Sequence, residues 1–336
     1  MQRRFLDYAI ISLKGMAMGA ADAVPGVSGG TIAFISGIYE ELISTISGVN
    51  LSLFKTLKND GFGAFWKQLN GNFLVALLTG IFISFIAFMG LAKFLIEHHP
   101  ILIWSFFFGL IVASVYYVGK QITKWQISTI LVFILGAAAA YYISQLPSMA
   151  NTDNSLFLFF AGALAICAMI LPGISGAFIL VILGAYKTLS DALHEFDIKK
   201  IVIFAFGALV GILSFSHILK WLFKNYHDIT LALLTGFIFG SLNKIWPWKL
   251  TETVMVKDTG QVMHFSDVTQ TGTLSVYQKL IDDFDSLIVI TEKNTLPFQY
   301  SLRNDNMDSQ VLFAIILMIV GFFTIFILER LGDKKH

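Results

Sequence analysis

The sequence is short of charge. Only 13% of its 336 residues are Asp, Glu, Lys or Arg, while 56% are hydrophobic. That is about half the charge of an ordinary soluble chain. The 32 Phe outnumber the 22 acidic residues. A soluble fold of this size would lack a polar coat, so a soluble globular protein is excluded and the chain belongs in lipid. Cysteine is nearly absent, and Cys167 alone excludes an internal disulfide. Its place in an apolar run reads as a small buried side chain rather than a reactive thiol. The net charge of +1 comes with no basic block, which excludes nucleic acid as a partner. Arg3 and Arg4 precede an apolar stretch holding Lys14 and Asp22. With no small-residue cleavage site behind a clean apolar core, this start reads as mature protein and not a signal peptide.

What is present is long apolar runs. Spanning hydrocarbon takes about 20 such residues. Residues 73–96, 101–119, 127–146, 201–219 and 229–247 qualify, and 311–328 is slightly short but uncharged. Two more stretches, 5–47 and 155–189, are interrupted, at Val24-Pro25-Gly26-Val27-Ser28-Gly29-Gly30 and at Leu171-Pro172-Gly173-Ile174-Ser175-Gly176. The six prolines are few enough that each one inside an apolar run is informative.

The interruptions are copies of one pattern. At an offset of 147, Pro25, Gly26, Ser28, Gly29, Gly37 and Tyr39 fall on Pro172, Gly173, Ser175, Gly176, Gly184 and Tyr186. At an offset of 127, Gly80, Lys93, Leu95, Gly109 and Ser114 fall on Gly207, Lys220, Leu222, Gly236 and Ser241. The drop of 20 reflects a longer connector before residue 73. The expected organisation is a first membrane repeat over 1–146, a second over 147–249, an outer polar insertion over 250–309, and a last spanning helix with its tail over 310–336.

Basic residues orient the chain. With the N-terminus cytoplasmic and each broken segment returning to its own side, Arg3, Arg4, Lys55, Lys58, Lys67, Lys120, Lys124, Lys220, Lys224, Arg330, Lys334 and Lys335 lie inside. Lys93, Lys187, Lys199, Lys200, Lys244 and Lys249 lie outside. Three clear spans separate the broken segments, so the second starts on the opposite face. The fold class is therefore an all-α polytopic membrane protein of two inverted repeats, each with a re-entrant hairpin broken at Pro-Gly. If each broken segment crosses once as a kinked helix, the repeats become parallel; the charge count favours the inverted case. Residues 250–309 are polar and acidic. A hairpin of 254–256 with 261–265 around Asp258-Thr259-Gly260, and a strand at 288–290, make this a partly β cap.

Pro-Gly in an apolar run breaks a helix, and the freed backbone groups must be satisfied by protein or by water in a cavity. A half-helix starting after the break presents N–H groups and a positive dipole end. Ser28, Thr31 and Ser175 add hydroxyls, and Gly29, Gly30 and Gly176 allow close approach. The pair reads as two anion cradles for phosphate or carboxylate, against the alternative of tight turns that merely pack. Asp22 is a candidate proton carrier or cap, and Lys14 a candidate ligand for a negative head group, unless both lie at interfacial depth. Glu40 and Glu41 read as a solvated hairpin end. Lys93 and Lys220 read as snorkelling, with a gate to lipid phosphate as the alternative, and His217 as a packed or interfacial histidine. Metal-ligand spacing, a Ser–His–Asp set and a nucleotide phosphate loop are all missing from the motifs, so no cofactor is expected.

KGMAMGAADAVPGVSGGTIAFISGIYEEL, from Lys14 to Leu42, and AICAMILPGISGAFILVILGAYKTL, from Ala165 to Leu189, resemble the membrane family first catalogued as domain of unknown function 368. The doubled motif is specific and the likeness runs nearly the whole chain, including Trp246-Pro247-Trp248. The resemblance implies a non-enzymatic flippase of the bacterial inner membrane. Its cargo would be undecaprenyl phosphate, recycled for peptidoglycan and other envelope polymers. Carried over, the motif positions are Gly19, Asp22, Pro25, Gly26, Ser28, Gly29, Gly30 and Thr31, then Pro172, Gly173, Ser175 and Gly176. Ala177 stands where the first copy has Gly30. The expected partners are the polyprenyl phosphate, the bilayer and a coupled proton, and a homo-oligomer is compatible. Competing readings are an integral undecaprenyl-diphosphate phosphatase and a small-anion carrier. The phosphatase needs an Arg near the phosphates, and neither break has one.

Overall fold

The computed structural model describes residues 3–22, 28–146, 154–174, 176–256, 261–269, 287–303 and 308–332. The apolar runs form helices, because in hydrocarbon a helix satisfies its backbone groups internally. The first part of the chain holds α1 (Phe5–Asp22), α2 (Gly29–Ile35), α3 (Tyr39–Ser47), α4 (Leu51–Gln68), α5 (Gly71–His98), α6 (Pro100–Gln121) and α7 (Ile127–Ser144). Then follow α8 (Ser155–Ile170), α9 (Gly176–Ile182), α10 (Ala185–His194), α11 (Ile198–Asn225) and α12 (His227–Ser241). The insertion holds β1 (Lys249–Val256), β2 (Val262–His264), α13 (Phe265–Thr269), β3 (Leu287–Asn294) and α14 (Pro297–Arg303), and α15 (Val311–Gly332) ends the chain. Among the described residues, α6, α7 and α11 are long and apolar enough to cross a membrane. Large apolar side chains such as Leu135, Phe206, Leu209 and Phe323 stay exposed on the outer faces, as lipid contact requires. The chain is a mostly helical membrane protein with a small sheet.

The two parts of the chain use one set of boundaries. α2 and α9 coincide at an offset of 147, and α5 and α11 at 127. His99 (φ −137°, ψ 49°) and Tyr226 (φ −139°, ψ 51°) turn α5 into α6 and α11 into α12 with one backbone geometry. Their N–H groups bond Leu95 O at 2.8 Å and Leu222 O at 2.7 Å. Gly37 and Gly184 both take left-handed φ, at 72° and 71°.

Close crossings repeat as well. Gly80 in α5 lies on the Ser12 carbonyl of α1, and Gly207 in α11 on the Phe159 carbonyl of α8. Gly109 of α6 lies on Met318 O of α15, while Gly236 of α12 lies on Phe133 O of α7. The main core gathers α1, α2, α3, α5, α6, α11, α12 and Ile325 of α15.

α12 stops at Ser241, short of the expected 247. Asn294 Nδ2 donates to Asn243 O at 2.8 Å and to its side-chain oxygen at 2.7 Å, and Pro247 offers no N–H to extend the helix. The chain turns there into an antiparallel sheet of order β2-β1-β3, with Val254 opposite Met263 on one side and Val289 on the other. The expected turn at 258–260 lies outside the described residues. Trp246 and Trp248 donate to Thr295 O and Ser309 O, each at 2.9 Å. Lys244 and Lys249 share Glu292 at 3.1 and 3.2 Å, and Lys249 lies 4.0 Å over the Trp104 ring of α6. Burial pushes the Glu292 carboxyl up, but Lys249 and Lys244 overcome it and hold it at about 2. The same burial lowers the Lys249 ammonium from its ordinary value.

Polar contacts define one end of the bundle. Arg3 grips Glu41 with two bonds of 2.6 Å, and Asn70 donates to Glu41 at 2.9 Å. His227 lies 3.5 Å from Glu40, and Thr123 Oγ1 donates to Asp228 at 2.6 Å. The starts of α1, α3, α5 and α12 and the end of α6 therefore share this end.

Candidate functional site

α2 doubles back along α1. Lys14, two turns before the end of α1, donates from Nζ to Ser36 O at the end of α2 over 2.6 Å, a favourable place for a cation. Beyond Ser36 the chain regains the level of Arg3, through Glu41.

The start of α2 is deep, so its N–H groups need partners. Ser28 is its N-cap in extended conformation and accepts from Gly30 N at 3.2 Å. Thr31 N bonds Ser28 O at 3.0 Å. Asp22, the last residue of α1, accepts from Gly29 N at 2.6 Å through Oδ1. The sequence predicts an open cradle here. Instead, the donors of Gly29, Gly30 and Thr31 bond within the segment itself, and a carboxylate stands at the helix start. The sequence lacks this detail because the bond depends on how α1 overlaps α2, which no spacing encodes.

The two breaks, far apart in sequence, meet in space. Thr31 is fully buried, and its Oγ1 accepts from Gly173 N at 2.9 Å. Ser28 Oγ lies 3.4 Å from Met169 O and 3.5 Å from Leu171 O. It has one proton and donates to one of them at a time. A Cβ on Gly30 would stand 2.6 Å from Ile170 O, so a glycine here permits the contact. Gly173 turns at φ 86°, and a Cβ there would stand 2.7 Å from Phe237 O of α12. Gly176 faces Ala165 O in the same way, at 2.6 Å, and Pro172 is buried. Pro25, Gly26 and Ser175 lie outside the described residues, and so does the Lys93 side chain. Lys220 is exposed, His217 bonds Leu213 O at 2.6 Å, and Cys167 reaches Gly211 O at 3.6 Å. Among the described residues no group of His, Cys, Asp or Glu forms a metal site.

These features define a class, a polytopic helical membrane protein whose two broken segments pack against each other through hydroxyls and bare backbone. The comparisons narrow it: residues 18–263 match the model of the undecaprenyl phosphate translocase-like family, and the chain belongs to that family. The chain is similar to a polyprenyl-phosphate transporter of Vibrio cholerae, 40% identical over 334 residues, covering 99% of this chain and 100% of the relative. It is also similar to a polyprenyl-phosphate transporter of Staphylococcus aureus, 32% identical over 261 residues, covering 72% and 88%. No solved structure matches.

Proposed function

We propose that the chain carries polyprenyl phosphate, in the form of undecaprenyl phosphate, across the bacterial inner membrane, with both termini cytoplasmic. In this reading the halves are inverted-topology repeats and the two breaks are re-entrant hairpins that meet at the substrate path. The observation that carries it is the bond from Gly173 N to Thr31 Oγ1, which links the two breaks. Burying the head group unpaired costs several kcal/mol or more, and backbone donors lower that cost while the prenyl tail stays in lipid.

Asp22 gives the cradle a working cycle. Its carboxylate holds the Gly29 N–H, so a phosphomonoester gains that donor by replacing one anion with another. Protonation of Asp22 weakens its hold and favours the exchange, which couples flipping to protons. The phosphate itself has a second pKa near about 6. Lys14 is a further candidate ligand for the negative head group, although its ammonium rests on Ser36 O at the opposite end of α2 from Gly29. No covalent step is proposed.

The test is head-group flipping in proteoliposomes with Asp22→Asn, Ser28→Ala and Ser175→Ala. Each is expected to slow flipping about tenfold while the protein stays folded. Wild-type rates in all three would make the breaks structural, and an unchanged rate after collapse of the proton gradient would remove the coupling. Competition by inorganic phosphate at equal potency would support a small-anion carrier instead.

A further inference from the structure

α4 has no counterpart in the second part of the chain, where α10 is followed directly by α11. Gly61, at φ 82° and ψ 178°, divides it into pieces at 51–60 and 62–68. In the first piece Leu53, Phe54 and Leu57 share a face at helical spacing. Leu53 turns into the protein at 1% exposure, while Phe54 stays 60% exposed and Leu57 39%. Lys58 borders this face beside Phe54, Lys55 lies further round on the same side, and both are exposed. In the second piece Phe62, Phe65 and Trp66 stand at i, i+3 and i+4. Phe62 packs on Trp66 at 5.6 Å and on Phe65 at 6.0 Å between ring centroids, yet is 65% exposed. Lys67 is exposed beside them.

The depth of this cluster is fixed by its neighbour. Trp66 Nε1 donates to Asn72 Oδ1 at 2.8 Å, in the first turn of α5. Gly71 leaves the indole room that any Cβ would take. α5 continues for 28 residues into the bundle, so its first turn lies where hydrocarbon meets water. Asn70 ties the same point to Glu41, and through it to Arg3.

We propose that α4 lies in the headgroup layer of the leaflet at the Arg3 end. Phe54, Leu57 and Phe62 sit at the acyl boundary, and Lys55, Lys58 and Lys67 contact anionic phospholipid headgroups. An exposed aromatic and leucine face bordered by lysines matches such an interface in both polarity and charge. The inference needs only that the chain spans a membrane, and it stands apart from the identity of the transported lipid.

Cys167 is the single cysteine, so Cys167→Ala gives a background for nitroxide labels at Phe54→Cys, Phe62→Cys and Asn59→Cys in the full chain. In nanodiscs containing phosphatidylglycerol, labels at 54 and 62 are expected to favour oxygen over a water-soluble nickel complex, and the label at 59 the reverse. Changing Lys55, Lys58 and Lys67 to Gln should lower the immobilised population by up to about fivefold per lysine, and neutral lipid should act like the triple change. Nickel access at all three sites would overturn the interfacial placement. Line broadening at 54 and 62 that disappears on dilution with unlabelled protein would assign the face to a second copy instead. Indifference to both lysines and lipid charge would overturn the headgroup contact.

Discussion

At α2 and at α9 the chain places a seven-residue helix after a Pro-Gly break, 147 residues apart. The skeletons correspond, but the side chains around them do not. Where the first part has Lys14, Asp22, Gly30 and Thr31, the second has Ala161, Met169, Ala177 and Phe178. Among the described residues, the ionisable and hydroxyl groups at the contact come from the first part, and the second contributes backbone: Gly173 N, Met169 O and Leu171 O. Each part also carries one addition, α4 in the first and the β1–β3 sheet in the second.

The shared skeleton is the first thing to test. Valine at Gly80 meets Ser12 O, and valine at Gly207 meets Phe159 O; both obstacles are backbone and cannot swing aside. Each substitution is expected to cost about 3 kcal/mol, read as equal losses in thermal stability in detergent. A large loss at one site alone would break the correspondence.

The addition in the second part should fail on its own. Glu292→Gln leaves Lys244 and Lys249 facing each other without their shared carboxylate, a loss of about 3 kcal/mol. It should appear as proteolytic release of the sheet, with α1–α12 still folded. The pH dependence follows from the lowered Glu292 pKa. Its contribution is complete above the ordinary carboxylate value of 4.5 and is lost as pH falls toward about 2. The depressed Lys249 stays protonated in both folded and unfolded states across this range, so it leaves the acid transition unchanged and its own pH dependence falls on the alkaline side.

The chemistry of the breaks comes next in size. Thr31→Val keeps the shape but leaves Gly173 N–H buried without its acceptor, at a cost of about 1–3 kcal/mol. Thr31→Ser should restore most of it. If the valine variant matches wild type in melting temperature, the bond between the breaks contributes nothing to holding them together.

Much of this was legible in sequence. The offsets 147 and 127, read mainly from Gly, Pro, Ser and Tyr with one Lys and one Leu pair, coincide with helix boundaries, because the glycines and prolines sit where the backbone turns or helices touch. A further correspondence was not legible. Gly136 of α7 lies against Leu233 O, and Gly321 of α15 against Phe106 O. The polar residues between α12 and α15 set α15 far along the chain, and one shared glycine is too weak a signal. α4 shows no apolar run, because Lys55, Thr56, Lys58, Asn59 and Asp60 interrupt its Leu and Phe residues. The engagement of Asp22 with Gly29 is a matter of overlap between helices and carries no motif.

The smallest expected effect concerns Tyr39, which is 2% exposed. It packs on Phe34 at 4.9 Å and Phe223 at 6.0 Å, and its hydroxyl has no hydrogen-bond partner. An orphaned hydroxyl costs desolvation with nothing returned. Tyr39→Phe should therefore raise the melting temperature, by an amount equivalent to about 1 kcal/mol. Tyr186 is its sequence counterpart, so Tyr186→Phe measures whether the correspondence reaches as far as a single oxygen. A rise at both positions would extend the shared skeleton to its aromatic side chains. A rise at Tyr39 alone would confine it to the backbone. A fall at Tyr39 would mean that the hydroxyl has a partner in the membrane-embedded protein, and the expectation would fail.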